Sequence, residues 1–278
     1  MATITASDVN KLRQMTGAGM MDCKNALVES DGDIEKAIDI LRKKGQKLAV
    51  KRADRDANQG IVIAKTTGDK KFAAIIMLNC ETDFVAKKQE FIDYAGKNID
   101  LAIATKPVTL EALKAMTIDG RSISDGVTDL IGKTGEKMEL AHYECIEAPL
   151  TVAYNHFGNR LGAILGLNKA EAAGIEDVAK HVAMQIAAMS PVALDKDDVD
   201  AETIAREIEV GKEQARAEGK AEEMLEKIAL GKLNKFYKEN TLLNQEFIND
   251  SKMSVREYLQ KADKDLTVTT FRRLQLGA

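Results

Sequence analysis

The sequence predicts an α+β protein in which one core subdomain occurs twice. Apolar, β-branched runs at residues 61–64 and 72–78 flank a Gly-Asp turn, and they are followed by a polar loop and a helical pattern. The same succession returns at residues 151–157, 161–167 and 174–189. Proline occurs only three times in 278 residues, which suits long helices. Two copies of hairpin, loop and helix indicate a duplicated α+β unit with antiparallel sheets.

The first 45 residues predict three short helices that form a small module. Thr5 and Asp8 have the spacing of a capping box at the start of the first helix. The two glycines at residues 17–19 end this helix and lead into the second. Asp33 is placed to cap the third helix, and Gly45 is expected to end it.

In the first copy of the core, residues 79–84 predict a polar loop, and a single helix is expected from Val85 to about Thr105. Met138 to Ile146 alternates and supplies a third strand. In the second copy, the third strand is predicted only near the end of the sequence, at Leu266 to Leu276. Each copy is therefore expected to contain a three-stranded sheet.

The segment between the last helix of the second copy and its third strand is rich in charge. Two helical patterns with thin apolar stripes meet near residue 219 and predict an antiparallel, coiled-coil-like helical hairpin. Together, these patterns divide the chain into five parts. They are a three-helix domain (1–45), a basic linker (46–58), a first core subdomain (59–148), a second core subdomain in two pieces (149–194 and 240–278) and a helical arm (195–239). The lysines and arginines at and near the linker fit an acidic or phosphate-bearing partner, but a solvated connecting helix is the simpler interpretation.

Composition excludes several classes of function. Forty basic and 44 acidic side chains give a net charge of −4, which argues against attraction to nucleic acid or membranes by bulk charge. No leader pattern or membrane-length apolar run is present. Three isolated cysteines and three histidines without ligand spacing predict neither disulfides nor a metal site. We therefore expect a cytoplasmic protein without a cofactor.

One stretch imitates a phosphate-binding loop. Residues 126–134 end in Gly-Lys-Thr, but five residues separate the two glycines where the motif requires four, and no buried strand precedes them. The surrounding residues are polar and predict a helix. No Ser, Cys or His lies in a nucleophile motif either, so a binding function is favoured over an enzyme.

Two segments are candidate binding sites. In the first, Met20 and Met21 are adjacent on one helix, so at least one is expected to be exposed, where methionine suits a protein interface. In the second, Phe84 stands beside Asp83 in the loop after a strand, where it could act as a wedge against a partner. The same loop residues also fit a plain helix cap and a hydrophobic staple.

These segments resemble the bacterial elongation factor Ts family. The resemblance is carried by residues 4–38, with Thr-Gly-Ala-Gly-Met-Met-Asp-Cys-Lys at 16–24, and by Asn-Cys-Glu-Thr-Asp-Phe-Val-Ala-Lys at 79–87. It extends in order over essentially the whole chain. It implies a ubiquitin-associated-like N-terminal domain, two core subdomains, an inserted helical hairpin and a returning final strand.

The resemblance also implies a guanine-nucleotide exchange factor for elongation factor Tu, bound in its GDP and nucleotide-free states. In this interpretation one loop displaces Mg²⁺ from the partner, and its residues are Thr82, Asp83, Phe84 and Val85. The partner-binding residues that match are Arg13, Met20, Met21, Lys24, Tyr154, His156 and Arg160. Direct binding of nucleotide, nucleic acid or membrane is not expected, and a homodimer or heterotetramer is possible.

A ribosome- or nascent-chain-associated adaptor that binds through the three-helix module is the alternative. Such an adaptor has no need of the loop at residues 82–85.

Overall fold

The structure, a computed structural model, describes residues 3–277 and divides into two compact units. The first unit contains the described residues up to Ile63, then Ile76–Glu144, and the last residues from Gln275. The second contains Ala64–Ile75 and Cys145–Leu274. The turn of the first hairpin, with the strand ends next to it, therefore belongs to the second unit.

Three helices open the first unit: α1 (Ala6–Thr16), α2 (Met20–Glu29) and α3 (Ile34–Lys51). The predicted capping box is confirmed, because the Asp8 N–H donates to Thr5 Oγ1 at 3.2 Å and the Asp8 carboxylate accepts from the Thr5 N–H. Gly17 ends α1 with φ of 69°, and Asp33 caps α3 as predicted. The helices enclose a small core of Val9, Leu12, Ala18, Cys23, Ala26, Leu27 and Ala37.

The expectation that Gly45 ends the third helix is wrong. α3 continues through Gly45 to Lys51. Gly45 is buried against the later helix that contains Gly132, and a Cβ on Gly45 would lie 3.1 Å from the Thr128 carbonyl oxygen. The glycine thus serves a close helix crossing rather than a helix end.

The next elements along the chain are β1 (Gln59–Thr66), β2 (Phe72–Cys80), α4 (Asp83–Ala86), α5 (Gln89–Thr105), α6 (Leu110–Ala115), β3 (Thr117–Ile118), β4 (Arg121–Ser122), α7 (Ile123–Thr134) and β5 (Met138–Glu147). Of these, the strands β1, β2 and β5 each belong partly to the second unit. The predicted hairpin and third strand are confirmed, with strand order β1-β2-β5. β2 is the central strand, and nearly all of its residues are buried.

The prediction of a single helix from Val85 to Thr105 is wrong. It is interrupted at Lys87 and Lys88, so that α4 is a separate four-residue helix. The Thr82 side chain caps α4, and the chain turns again before α5 begins. Phe84 consequently lies on a short helix rather than in a loop.

The second unit contains β6 (Leu150–Asn155), β7 (Leu161–Leu167), α8 (Ile175–Met189), α9 (Ala201–Ala217), α10 (Glu222–Asn240), β8 (Glu246–Phe247), β9 (Asp250–Ser254), α11 (Val255–Ala262) and β10 (Val268–Gln275). β6 and β7 are antiparallel, with register from Leu150↔Leu167 to Asn155↔Gly162. The order β10-β7-β6 places the second hairpin strand in the centre, as in the first sheet. The chain is thus a mixed α+β protein.

The charged segment forms two helices that pack closely. Gly211 of α9 faces Ala229 of α10, and a Cβ on Gly211 would lie 3.1 Å from the Ala229 Cα. The elements from β8 to α11 were not anticipated. They are anchored by Phe247 and Tyr258, whose rings stack with centroids 3.9 Å apart.

Candidate functional site

The turn at Thr82–Val85 follows the central strand β2 directly and presents an aromatic side chain. Thr82 has extended backbone angles (φ −121°, ψ 153°), and its hydroxyl accepts the Val85 N–H at 3.4 Å. Val85 is buried, whereas Phe84 is 79% exposed. The short helix therefore anchors one apolar side chain in the core and directs its neighbour outward.

Carboxylates hold the base of this turn. Glu136 accepts hydrogen bonds from the Thr82 N–H at 3.1 Å and from the Thr82 hydroxyl at 2.8 Å. Glu81 accepts from the Lys137 N–H at 2.6 Å and from the guanidinium groups of Arg52 and Arg55 at 2.7 and 3.2 Å. Burial raises the pKa of Glu81, but these donors overcome it and hold the pKa below its ordinary value.

The charged and sulfur-containing neighbours of Phe84 are also partnered. Lys87 Nζ donates to Asp83 at 2.6 Å and lowers the pKa of that carboxyl, which nevertheless remains half-exposed. The Cys80 thiol donates to the Thr82 carbonyl oxygen at 3.2 Å. Burial raises the pKa of Cys80 to about 12, with a further contribution from the charge of Glu136, so the sulfur stays a neutral thiol.

The start of α2 forms an exposed methionine surface. Met20 and Met21 are 46% and 64% exposed, and nearby Met15 on α1 is exposed as well. Both predicted methionines are therefore accessible, where at least one was expected. The other two candidate residues of this region, Arg13 and Lys24, are also exposed.

The third set of candidate residues lies in the second unit, at the β6–β7 hairpin. The Tyr154 hydroxyl and His156 Nδ1 are 3.0 Å apart and share a hydrogen bond. Arg160 is exposed at the start of the returning chain. Sequence reasoning missed Phe157, which is 98% exposed beside His156; an aromatic residue next to a turn was the available signal.

Sequence reasoning also missed Glu81 and Glu136. Their role depends on two segments more than 50 residues apart, and no local pattern reports that pairing. The nearest signal was Gly135 followed by an acidic residue, at a helix end before a strand.

The phosphate-loop imitation is resolved by the fold, because residues 126–134 all lie within α7. Among residues 3–277, no three His, Cys, Asp or Glu side chains are grouped to hold a metal, and the cysteines in this range form no disulfide. No helix in this part of the chain has the length and apolar character to cross a membrane.

Comparison with known proteins agrees with the motifs. Residues 81–278 match the family model described as Elongation factor TS. The chain is 51% identical to an Elongation factor Ts of Cytophaga hutchinsonii over 100% of both chains. It is 50% identical to those of Amoebophilus asiaticus, over 99% of each chain, and Christiangramia forsetii, over 100% of each.

Proposed function

The chain belongs to the elongation factor Ts family of translation elongation factors, and we propose that it is the guanine-nucleotide exchange factor that releases GDP from elongation factor Tu. Phe84 carries this proposal. Its ring is largely exposed although Thr82 and Val85, on either side, are fixed by hydrogen bonds and burial. An exposed aromatic side chain on a rigid support is suited to enter a partner.

Exchange then proceeds by binding alone. Phe84 enters the GTPase domain of the partner near its Mg²⁺ site, and Asp83 contacts the segment that is displaced. Mg²⁺ neutralises the charge of the nucleotide phosphates, so moving the ion weakens GDP binding. Because each of the two ligands weakens the binding of the other, the ternary complex loses GDP without any covalent step.

Two further surfaces dock the partner in this proposal. Arg13, Met20, Met21 and Lys24 contact the same GTPase domain, where exposed methionines adapt to an apolar surface. Tyr154, His156 and Arg160 contact the other domains of the partner. The Tyr154–His156 hydrogen bond supports this assignment, because it orients the imidazole at the tip of the hairpin.

The finer organisation belongs to the same proposal. Residues 1–45 act as a ubiquitin-associated-like docking domain and 46–58 as a basic linker. Residues 59–148 form the first core subdomain, and 149–194 with 240–278 form the second. Residues 195–239 form an inserted antiparallel arm for self-association, and the protein acts in the cytoplasm.

The test is release of fluorescent GDP from purified elongation factor Tu, with unlabelled GDP in excess. We expect the chain to accelerate release catalytically, at concentrations below that of the partner. The same chain with Phe84 and Asp83 both changed to alanine is the control for binding without exchange. Release at the spontaneous rate in the presence of the wild-type chain would contradict the proposal.

A further inference from the structure

At the base of the Thr82–Val85 turn, two segments are cross-linked reciprocally by carboxylates. Glu136 accepts the Thr82 N–H, and Glu81 accepts the Lys137 N–H. Each segment thus supplies one acceptor side chain and one backbone donor to the other. Hydrogen bonds to a charged acceptor are stronger than neutral ones. The pair of segments therefore forms a closed clamp between the end of β2 and the start of β5.

The position of the Glu136 carboxylate is set by the end of α7. Gly135 follows the last residue of that helix with φ of 76°, a conformation that favours glycine, and its N–H donates to the Ile131 carbonyl. The Glu136 N–H then donates to Thr134 Oγ1 at 3.3 Å. Backbone geometry on both sides directs Glu136 towards Thr82.

Glu136 also determines how the Thr82 hydroxyl is used. The hydroxyl proton goes to Glu136, so its oxygen accepts the Val85 N–H that opens α4. The Thr82 carbonyl accepts from the Ala86 N–H at 3.2 Å and from the Cys80 thiol. Every polar group of Thr82 is engaged, and Glu136 takes two of them.

We propose that Glu136 is a positioning residue for nucleotide exchange, which holds the Thr82–Val85 turn so that Phe84 is presented before the partner arrives. This inference rests on the proposed function. A turn that is already ordered loses less conformational entropy on binding. The smaller loss favours the step in which Phe84 enters the partner. The docking surface on α1 and α2 does not depend on Glu136, so the rate of release is affected more than the affinity.

The first measurement separates rate from affinity. GDP release is followed against chain concentration for wild type, Glu136→Ala, Glu136→Gln and Glu139→Ala. We expect Glu136→Ala to lower the maximal rate about tenfold, equivalent to about 1.4 kcal/mol. The concentration for half-maximal release should change less than about twofold. Glu136→Gln keeps one acceptor oxygen and should lose less.

Glu139 is the matched control, since it is an exposed glutamate of β5 without a side-chain hydrogen bond or ion pair within residues 3–277. Its alanine variant should match wild type. An unchanged maximal rate for Glu136→Ala, or a loss confined to the half-maximal concentration, overturns the positioning role.

The second measurement uses the free chain and does not require the partner. Amide hydrogen exchange at Val85, Ala86 and Lys87 should accelerate in Glu136→Ala, because these N–H groups bond within the turn. Unchanged protection overturns the positioning role alone. A wild-type chain that fails to release GDP overturns the proposed function instead.

Thr82→Val keeps the test decisive if Glu136→Ala does not fold. It removes the hydroxyl donor and leaves the carboxylate in place. The Thr82 N–H can still donate to Glu136, while the hydroxyl is lost both as a donor to Glu136 and as the acceptor of the Val85 N–H. We expect a reduced maximal rate, and the double variant should lose less than the sum of the two single losses, because the two side chains share the hydroxyl–carboxylate hydrogen bond. Additive losses would contradict the coupling.

Discussion

Replacing Phe84 by alanine should slow GDP release strongly while leaving the fold intact. The ring is 79% exposed, so only about a fifth of it contributes to the core. A fully buried Phe→Ala change costs about 3–5 kcal/mol, and a fifth of that is below about 1 kcal/mol. An aromatic side chain buries about 150–250 Å² when enclosed, and the exposed four-fifths, at about 25 cal/mol per Å², correspond to about 3–5 kcal/mol.

That figure is an upper bound on the contact with the partner, and interface anchors typically lose about 2 kcal/mol or more. A loss of 2 kcal/mol corresponds to about a 30-fold slower release. The assay is stopped-flow release of fluorescent GDP, with thermal denaturation of the same samples. Val108→Ala is the control, because Val108 is an exposed apolar residue (86%) of the same unit. Wild-type release by a folded Phe84→Ala chain would refute the wedge.

Three other perturbations test the fold and its arm. Gly45→Leu should lower stability by about 1–3 kcal/mol in thermal denaturation, because its side chain meets the Thr128 carbonyl across the helix crossing. Gly96→Ala, with open space around it in α5, should instead gain up to about 1 kcal/mol, and equal effects at both sites would contradict the close packing. Because the folded pKa of Glu81 lies below its ordinary value of 4.5, its stabilisation is complete above that pH and is lost as the pH falls through the folded pKa. The difference in the free energy of unfolding between wild type and Glu81→Gln, measured in urea, should therefore shrink in acid. A difference that does not change with pH would show that the charge of Glu81 is not what stabilises the fold. Replacing residues 204–234 by a Gly/Ser linker should preserve folding and GDP release, since loop length changes closure entropy slowly, while light scattering reports loss of self-association. Loss of release from a folded linker variant would place the arm in the partner-binding site.

Local patterns predicted most of the elements. The capping box at Thr5 and the caps at Gly17 and Asp33 depend on neighbours within four residues, and all three are confirmed. Both hairpins and both third strands are also confirmed, because alternation and turn residues report them directly. The start or end of a strand or helix can therefore be predicted from the sequence where it depends on a few side chains in one segment.

The wrong predictions concern places where residues distant in sequence determine the local structure. Gly45 looked like a helix end, but α3 continues through it, and the close approach of the helix that contains Gly132 explains the glycine instead. The separate helix α4 begins at the cap that Thr82 provides, and Thr82 is held by Glu136. In both cases the determining contact joins segments more than 50 residues apart, which no periodicity in a single window contains.

The place of Phe84 just beyond the central strand also has a mechanical consequence. The turn that carries the ring continues from β2, and β2 is bonded to a strand on each side. A load on the turn that reaches β2 is therefore shared by two ladders of hydrogen bonds, and close-packed interiors are hardly compressible. The support of the ring is therefore stiff, and in the proposed complex with elongation factor Tu the ring should keep its position as the two proteins meet.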